Sequence, residues 1–275
     1  MQIISYLYTA KIKTISTKEI HRNILNFLFY REGFVFFIKE EGKPLKVNRF
    51  KVSHINKWET EITHELEINL RLRRNFDKVN AAFVSSFFNL VPDDYLSVNQ
   101  DDLLNFSEAE FENNAILQDK TNFGNTFIYG ISQILVDKLN ELYGEVDYFH
   151  SGNVFLTSIS GSGETKIHLN LYEHNLEVAV TKESEIVFYN LFETLTGEDI
   201  LFYTLFALEQ LNLDPNKAEL KTYGQLLPDT KVFQTFKKYI RFVFPALKDE
   251  DFLENYTIYK LPECASFQAD SEERK

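Results

Sequence analysis

The chain has 275 residues, of which 44% are hydrophobic and 15% aromatic, so it can fill a sizeable core and wholesale disorder is excluded. Its formal net charge of −12 repels phosphate backbones and anionic lipid, so we expect no nucleic-acid partner. No stretch approaches the roughly 20 apolar residues that span a bilayer, so we expect no membrane insertion. The single cysteine, Cys264, excludes an intrachain disulfide or a multi-cysteine metal site and fits a reducing cytoplasm.

The first half of the chain begins with a predicted meander of three strands. The segments RNILNFLFY, FVFFI and PLKVNRFKV predict these strands from their apolar and β-branched content. A tight turn at Tyr30-Arg31-Glu32-Gly33 joins the first two, and Gly33 suits it because glycine tolerates positive φ.

A helix and a polar insertion follow the predicted meander. Residues 58–72 predict a helix because apolar side chains recur at helical spacing: Trp58, Ile62, Leu66 and Leu70. Residues 78–92 predict one strand or a strand pair, and the acidic stretch near 93–114 predicts a loop or insertion. The segments NTFIYGI, QILVDKLNELYG, VDYFH and SGNVFLTSIS then predict strand, helix, strand and short helix.

The segment GSGE at 161–164 is a predicted linker, and a second meander follows it. KIHLNLY, LEVAV and EIVFYNLFE predict its strands, with a tight turn at Tyr172-Glu173-His174-Asn175 in which Asn175 takes the positive φ. Thr196 and Asp199 form a capping box that begins a helix. AELKTYG then predicts a strand, and TKVFQTFKKYIRFVF predicts a helix that Pro245 terminates.

The two halves repeat one plan at an offset of 142 positions, since Tyr30 corresponds to Tyr172 and Gly33 to Asn175. We predict a first subdomain at 20–160, with the acidic insertion near 93–114, and a second subdomain at 161–262. Each has the order β-β-β-α-β-α. The polar residues 263–275 are predicted to form a loose tail.

Two such halves flanking a cleft are the α/β plan of duplicated ribonuclease H-like subdomains and of the actin-like ATPase fold. The segments FNLVPDDYL, YNLFETLTGEDILFYTLFALEQLNLDP and LKTYGQLLPDTKVFQTFKKYIRFV resemble an uncharacterised bacterial family, domain of unknown function 3822. This resemblance covers roughly residues 20–262 and implies an actin-like fold without an assigned activity. By fold analogy with pilus-assembly and secretion-apparatus members, we expect a cytoplasmic, non-catalytic scaffold or regulatory protein with a protein partner.

In actin-like ATPases the turn between the first two strands of each half binds phosphate, usually through Asp-x-Gly, with the Asp holding Mg²⁺ through water. Neither turn here has Asp-x-Gly, and the Gly-Gly pair expected on the adenosine side is reduced to Gly224. We therefore expect no catalytic residue, no metal site and no cofactor. The alternative is a nucleotide-binding switch that takes ATP with magnesium. Its binding residues would be Tyr30, Arg31, Glu32, Gly33, Tyr172, Glu173, His174, Asn175 and Gly224.

Histidines and aromatic residues complete the candidates. His150 ends a strand near the predicted cleft and is interpreted as a structural histidine, while His168 and His174 do not match zinc-ligand spacing. A ribonuclease H-type nuclease is rejected because the first strand of each half lacks the required Asp. Seven aromatic residues either form an interaction patch or pack inside the fold: Tyr189, Phe192, Tyr203, Tyr239, Phe242, Tyr256 and Tyr259.

Overall fold

The structure, a computed structural model, describes residues 23–41, 43, 45–96, 113–159, 164–183 and 185–272. Most of the acidic insertion (97–112) and of the predicted linker (161–163) lies outside the described residues. The strands, in chain order, are β1 Asn23–Tyr30, β2 Gly33–Glu40, β3 Asn48–Lys51, β4 Lys78–Phe83, β5 Phe88–Pro92, β6 Asn114–Lys120, β7 Asn125–Ser132, β8 Asp147–His150, β9 Lys166–Tyr172, β10 Asn175–Lys182, β11 Glu185–Glu193, β12 Glu219–Gly224 and β13 Phe242–Pro245. The α-helices are α1 Trp58–Ile68, α2 Gln133–Tyr143, α3 Ser151–Ile159, α4 Gly197–Gln210, α5 Lys231–Tyr239, α6 Glu250–Glu254 and α7 Tyr256–Glu272.

Two five-stranded sheets share one topology. The first has the order β3-β2-β1-β4-β8 and the second β11-β10-β9-β12-β13. In each, the central strand pairs antiparallel with the next strand of the meander and parallel with the strand after the crossover helix. The predicted meanders and the repeat are therefore confirmed at the level of strand order.

The central strands are buried on both faces, as their near-continuous apolar sequences require. In β1, Phe27 and Phe29 point into a core with α1 and α2, while Leu28 and Tyr30 face α7. In β9, alternate residues from Ile167 to Leu171 pack under α4 and α5.

The second half contains a fifth strand that our sequence interpretation missed. We predicted one helix up to Pro245, but the helix ends at Tyr239 and residues 242–245 form β13, parallel to β12. The reason is periodicity, because Val243 is buried while Phe242 and Phe244 are exposed, which is the period of two that a strand produces.

The insertion in the first half also contains more structure than predicted. Residues 78–92 form a pair of strands, β4 and β5, as expected for one of the two alternatives. The predicted acidic loop reached Asn114, but β6 begins there and pairs with β7 in a third sheet of order β5-β7-β6. Asp93–Tyr95 form a short 3-10 turn.

The C-terminal segment is helical where a loose tail was expected. The backbone of α7 continues to Glu272, through Pro262, and Cys264 is only 3% exposed. Ile258, Leu261 and Cys264 recur every three residues and pack against Leu28 and its neighbours on β1 and β4. An element that follows the second sheet in sequence thus covers one face of the first sheet.

Two histidines are buried and neutral. Backbone Gly152 N–H donates to His150 Nδ1 (3.0 Å), so Nε2 carries the proton and donates to the carbonyl of Ser85 (2.9 Å). The ring stacks on Phe127 at 4.5 Å, which agrees with the structural role predicted for His150. His168 lies between the hydroxyls of Tyr223 and Thr181, 3.1 Å from each. Burial lowers the pKa of both histidines to about 4.

We predict that acidification from about pH 6.5 to pH 4 destabilises the protein through these two rings. In this window the unfolded chain binds more protons than the folded one, so stability is full above pH 6.5 and falls as pH drops. Each histidine contributes up to about 3 kcal/mol. Urea unfolding across this range measures the slope, which should shrink in His168→Gln. His64→Gln, at an exposed position, should leave it unchanged; equal slopes for both variants would contradict the assignment.

Candidate functional site

The two predicted hairpins have the same length and lie on either side of one cleft. Tyr30 pairs with Gly33 across a two-residue loop, and Tyr172 pairs with Asn175 in the same way. In the first hairpin Gly33 has φ +149° and lies so close to β3 that a Cβ would sit 2.1 Å from the carbonyl oxygen of Phe50. The glycine is therefore required by backbone packing.

The second hairpin corrects one prediction. The residue with positive φ is Glu173 (+48°) at the first loop position, and Asn175 has an ordinary strand conformation as the first residue of β10. Both hairpins have two-residue loops, but the residue with positive φ is Gly33 in the first and Glu173 in the second. The alignment of Gly33 with Asn175 therefore did not predict which residue of the second hairpin has positive φ.

Side chains fill the space between the hairpins. The cavity there measures about 20 Å³ and is lined by Leu28, Tyr30, Val35, Arg49, Leu171, Tyr172, Glu173, Gln225, Glu254, Asn255 and Ile258. One water molecule needs roughly 10–15 Å³ by the same measure. The cavity as it stands thus has space for a single water and none for a phosphate group.

The cations beside this cavity already have carboxylate partners. Arg49 lies 3.3 Å from Glu254 and 3.9 Å from Glu173, and it donates to the Tyr30 hydroxyl at 3.4 Å. Lys51 Nζ lies 3.2 Å from Glu173. Burial raises the pKa of Tyr30 and the guanidinium of Arg49 partly offsets this, so the hydroxyl stays protonated at neutral pH. A phosphate at this position would compete with Glu173 for both cations.

The backbone of the second hairpin is also engaged internally. The N–H of Glu173 donates to the side-chain oxygen of Gln225 at 2.9 Å. Gly224 has φ +66°, and a Cβ on it would lie 2.3 Å from the carbonyl oxygen of Leu171 and 2.7 Å from Asn170 Oδ1. Gly224 therefore permits close approach of β12 to β9.

The other charged or histidine residues predicted for the site make separate contacts. Arg31 Nη1 lies 3.8 Å from Glu193, and both side chains are exposed. His174 Nδ1 donates to the carbonyl of Thr194 at 3.1 Å. The carbonyl of Glu32 accepts from Val52 N–H at 2.9 Å. The structure brings Tyr30, Tyr172 and Glu173 together and leaves Arg31, Glu32 and His174 at the hairpin tips.

A buried carboxyl behind the cleft was not identified from the sequence. Glu177 on β10 is fully buried and its oxygens accept from four donors: Ser151 Oγ (2.8 Å), Tyr189 OH (2.9 Å), Asn170 Nδ2 (2.9 Å) and Tyr172 OH (3.0 Å). Burial raises the pKa of Glu177, and these donors partly offset the rise. The one sequence signal for this site is the position of Glu177 between Leu176 and Val178, whose side chains face the helices of the second half. Glu177 therefore lies on the opposite face of β10.

This network joins the two halves of the chain. Ser151 begins α3 directly after the first sheet, whereas Asn170, Tyr172 and Glu177 belong to the second sheet. Thr257 of α7 contacts both Tyr172 and Asn170 Nδ2, the latter at 2.9 Å. Four donors around one carboxyl satisfy it without a cation.

A larger cavity, of about 240 Å³, lies on the other side of Tyr30 within the first half. Its walls are mainly apolar and include Phe29, Trp58, Phe83, Phe87 and Ile131, with serine hydroxyls and Arg31 at its edge. Such walls suit an apolar group better than a triphosphate.

The described residues provide no metal centre. In the described ranges, no three His, Cys, Asp or Glu side chains converge closely enough to hold a metal ion. None of the described helices is both long and apolar enough to span a bilayer.

Of the seven aromatic residues weighed as an interaction patch, Tyr239 and Phe242 are exposed, and the others are buried or partly buried.

We predict that Gly224→Ala destabilises the protein by about 2–3 kcal/mol more than Gly124→Ala. Both glycines have positive φ (+66° and +75°), but a Cβ at Gly124 meets nothing within 4 Å. The comparison therefore separates contact with β9 from backbone strain. Chemical unfolding measures both variants, and equal losses would show that no close approach exists at Gly224.

We also predict that Glu177→Ala costs about 3–5 kcal/mol, because it leaves buried donors without an acceptor. Glu177→Gln keeps one acceptor oxygen and should cost less. Glu185→Ala, at an exposed position on β11, serves as the control and should change the unfolding free energy by under about 0.5 kcal/mol. An alanine variant as stable as the glutamine variant would contradict the role given to the carboxyl.

Solved structures with the same overall fold are similar to this chain. A Bacteroides thetaiotaomicron VPI-5482 protein with actin-like ATPase fold and unknown function is 19% identical, with a TM-score of 0.76 over 87% of this chain and 95% of that one. The cytoplasmic domain of EpsL, an inner membrane component of the type II secretion system of Vibrio cholerae, is 12% identical (TM-score 0.51; 89% and 95%). The PilM-PilN type IV pilus biogenesis complex matches at 11% identity (TM-score 0.56; 86% and 97%).

These similarities confirm the predicted actin-like ATPase fold, and at such low identity they show the fold alone. No curated protein sequence shows significant similarity to the chain. The sequence profile described as Protein of unknown function (DUF3822) matches residues 12–243, which is most of the chain. The protein therefore belongs to the DUF3822 family.

Proposed function

We propose that this protein is a non-catalytic scaffold or regulatory interaction protein built on a degenerate actin-like fold. The observation that carries the proposal is the 20 Å³ cavity between the hairpins, where an ATPase of this fold needs space for phosphates. Tyr30, Tyr172 and Glu173 occupy that space with side chains.

Charge supports the same conclusion. A triphosphate needs unpaired cations and free backbone N–H groups. Here Arg49 and Lys51 are paired with Glu173, and the N–H of Glu173 itself donates to Gln225. A nucleotide would have to break each of these contacts before gaining any of its own, so we assign the protein no enzymatic activity, no metal and no cofactor.

The link between the halves argues against a nucleotide-driven switch. Opening the cleft would separate Ser151 of the first half from Glu177 of the second. Loss of the Ser151 donor would remove one hydrogen bond to Glu177, so this contact favours the arrangement in which the two halves stay together. We therefore propose that the halves, at 20–160 and 161–262, act as one rigid platform.

Proteins form the most suitable class of partner. The similar structures include a PilM-PilN complex and an inner membrane component of a secretion system, both of which belong to protein assemblies by their descriptions. By that analogy we propose a protein partner for this chain. The acidic charge and the single cysteine support a cytoplasmic location.

We predict that millimolar Mg-ATP, Mg-ADP and Mg-GTP leave the melting temperature unchanged within about 1 °C. A ligand at about 100 times its Kd would add roughly 2.7 kcal/mol, or several degrees for a chain of this size. Thermal unfolding with and without each nucleotide is the measurement, and magnesium alone is the matched control.

A clear shift with one nucleotide would contradict the proposal and establish the switch alternative. In that case Glu173→Ala, which removes the carboxylate partner that Arg49 and Lys51 share, should enlarge the shift, whereas Glu185→Ala should not. Absence of any shift in the wild-type protein and in Glu173→Ala would show that releasing the cations does not restore binding.

A further inference from the structure

Helices α4 and α5 form the outer layer of the second half and pack side by side over the second sheet. Strands β11, β12 and β13 are mutually parallel through the sheet, so the two crossover helices run in the same direction. Gly197 at the start of α4 lies against Val232 at the start of α5, since a Cβ on it would be 2.8 Å from Val232 Cγ2. The first turns of the two helices therefore lie side by side, at the same height along the helix axes.

The outward face of α4 is apolar in its middle and acidic at both ends. Glu198, Phe202, Phe206 and Glu209 are spaced by four, four and three residues, which places them in one stripe. Phe202 is 61% exposed and Phe206 44% exposed, and their rings stack at 6.0 Å. The helix contains no Lys, Arg or His. Two adjacent exposed aromatic rings are typical of an interaction surface.

The outward face of α5 has the opposite charge. Its sequence KVFQTFKKY contains no acidic residue, and Lys231, Lys237 and Lys238 are all exposed. Tyr239 at its end is 54% exposed, and Arg241 follows it. In a chain of net charge −12, residues 231–241 carry four cations and no anion.

We propose that this layer is an interface between two copies of the chain, in which α4 of each copy packs on α5 of the other. A two-fold axis parallel to the helices produces this arrangement and keeps the level first turns together. Glu198 of one copy then faces Lys231 of the other. Phe202 and Phe206 cover the turn that ends in Tyr239, and Glu209 faces Arg241.

Charge selects a second copy as the occupant. The acidic stripe and the basic stripe complement each other, and a two-fold axis satisfies both contacts at once. The alternative two-fold, with α4 on α4, would set acid against acid. Two copies of a chain with net charge −12 repel each other on average, and pairing of the basic stripe with the acidic stripe offsets this repulsion. The inference goes beyond the proposed function and does not depend on whether the cleft binds a nucleotide.

Sedimentation velocity from about 1 to 100 µM tests the interface on the full chain. We expect a species of twice the 32.3 kDa monomer mass whose population grows with concentration. Phe202→Ser with Phe206→Ser should weaken the dimer by at least about tenfold. Only monomer throughout this range in the wild-type protein would overturn the inference.

A charge exchange identifies the surface without relying on the aromatic substitutions. Each of two variants should be monomeric alone, and their equimolar mixture should recover the dimer, because both contacts in the mixed species are again between opposite charges. The variants are Lys231→Glu with Lys237→Glu and Lys238→Glu, and Glu198→Lys with Glu209→Lys. The control reverses three exposed lysines elsewhere and should remain dimeric: Lys39→Glu, Lys57→Glu and Lys182→Glu.

Two further outcomes would overturn the inference. One is a dimer that survives either charge variant, which would place the interface elsewhere. The other is a mixture that stays monomeric although circular dichroism shows both variants folded. The nucleotide experiment is independent of these results, so failure of the interface and failure of the scaffold proposal are distinguished.

Discussion

The two halves of this molecule are joined around one buried carboxyl, that of Glu177, and its hydrogen bonds constrain the elements that surround it. Glu177 is fully buried at the junction of the two halves, and its oxygens accept hydrogen bonds from α3, β9 and β11. A buried acid costs free energy unless its oxygens are hydrogen-bonded. The donors must therefore stay in place, which fixes α3, the second sheet and α7 relative to one another. The network also reaches the hairpin cleft, because Tyr172 both donates to Glu177 and lines the small cavity there.

The repeated hairpins result from the repeated topology of the two five-stranded sheets. The same two-residue loop recurs because the same strand order recurs. In the first copy the glycine is required by the nearby carbonyl of Phe50, and in the second a glutamate takes the left-handed conformation. In the second turn the backbone N–H of Glu173 already donates to Gln225. The same hairpin thus meets different local requirements in the two halves.

Most strands, and the fold they form, could be predicted from the sequence because period-two and continuous apolar patterns are strong signals in this chain. β9 and β11 were predicted with their observed bounds. The failures have physical causes. β13 is only four residues long and adjoins an amphipathic helix, so its pattern merged with that of α5. The polar content of β6 made it resemble the acidic stretch before it. The helical backbone of 263–272 was missed because its polar composition obscured the stripe that begins at Ile258.

The candidate site was less predictable than the fold. Sequence position placed Tyr30 and Tyr172 correctly at the cleft, yet whether a cleft is open depends on side chains contributed from distant elements. Arg49, Gln225 and Glu254 close it, and each lies far in sequence from the hairpins it contacts. Glu177 was overlooked for a related reason. A charged residue in an alternating strand is usually assumed to face solvent, but here that face packs against the other half.

The position of α7 has a consequence for how the chain reaches this state. Leu28 and Tyr30 on β1 pack in one cluster with Ile258 and Leu261 on α7, which lies far later in the sequence. This face of the first sheet is therefore not fully covered until α7 has been made. Contacts between residues so far apart in sequence form slowly, because closing the intervening loop costs conformational entropy before the contact can stabilise the chain. Until then, part of an apolar surface formed by Leu, Val and Phe side chains stays uncovered and can contact other chains. Packing of α7 on the first sheet removes that surface.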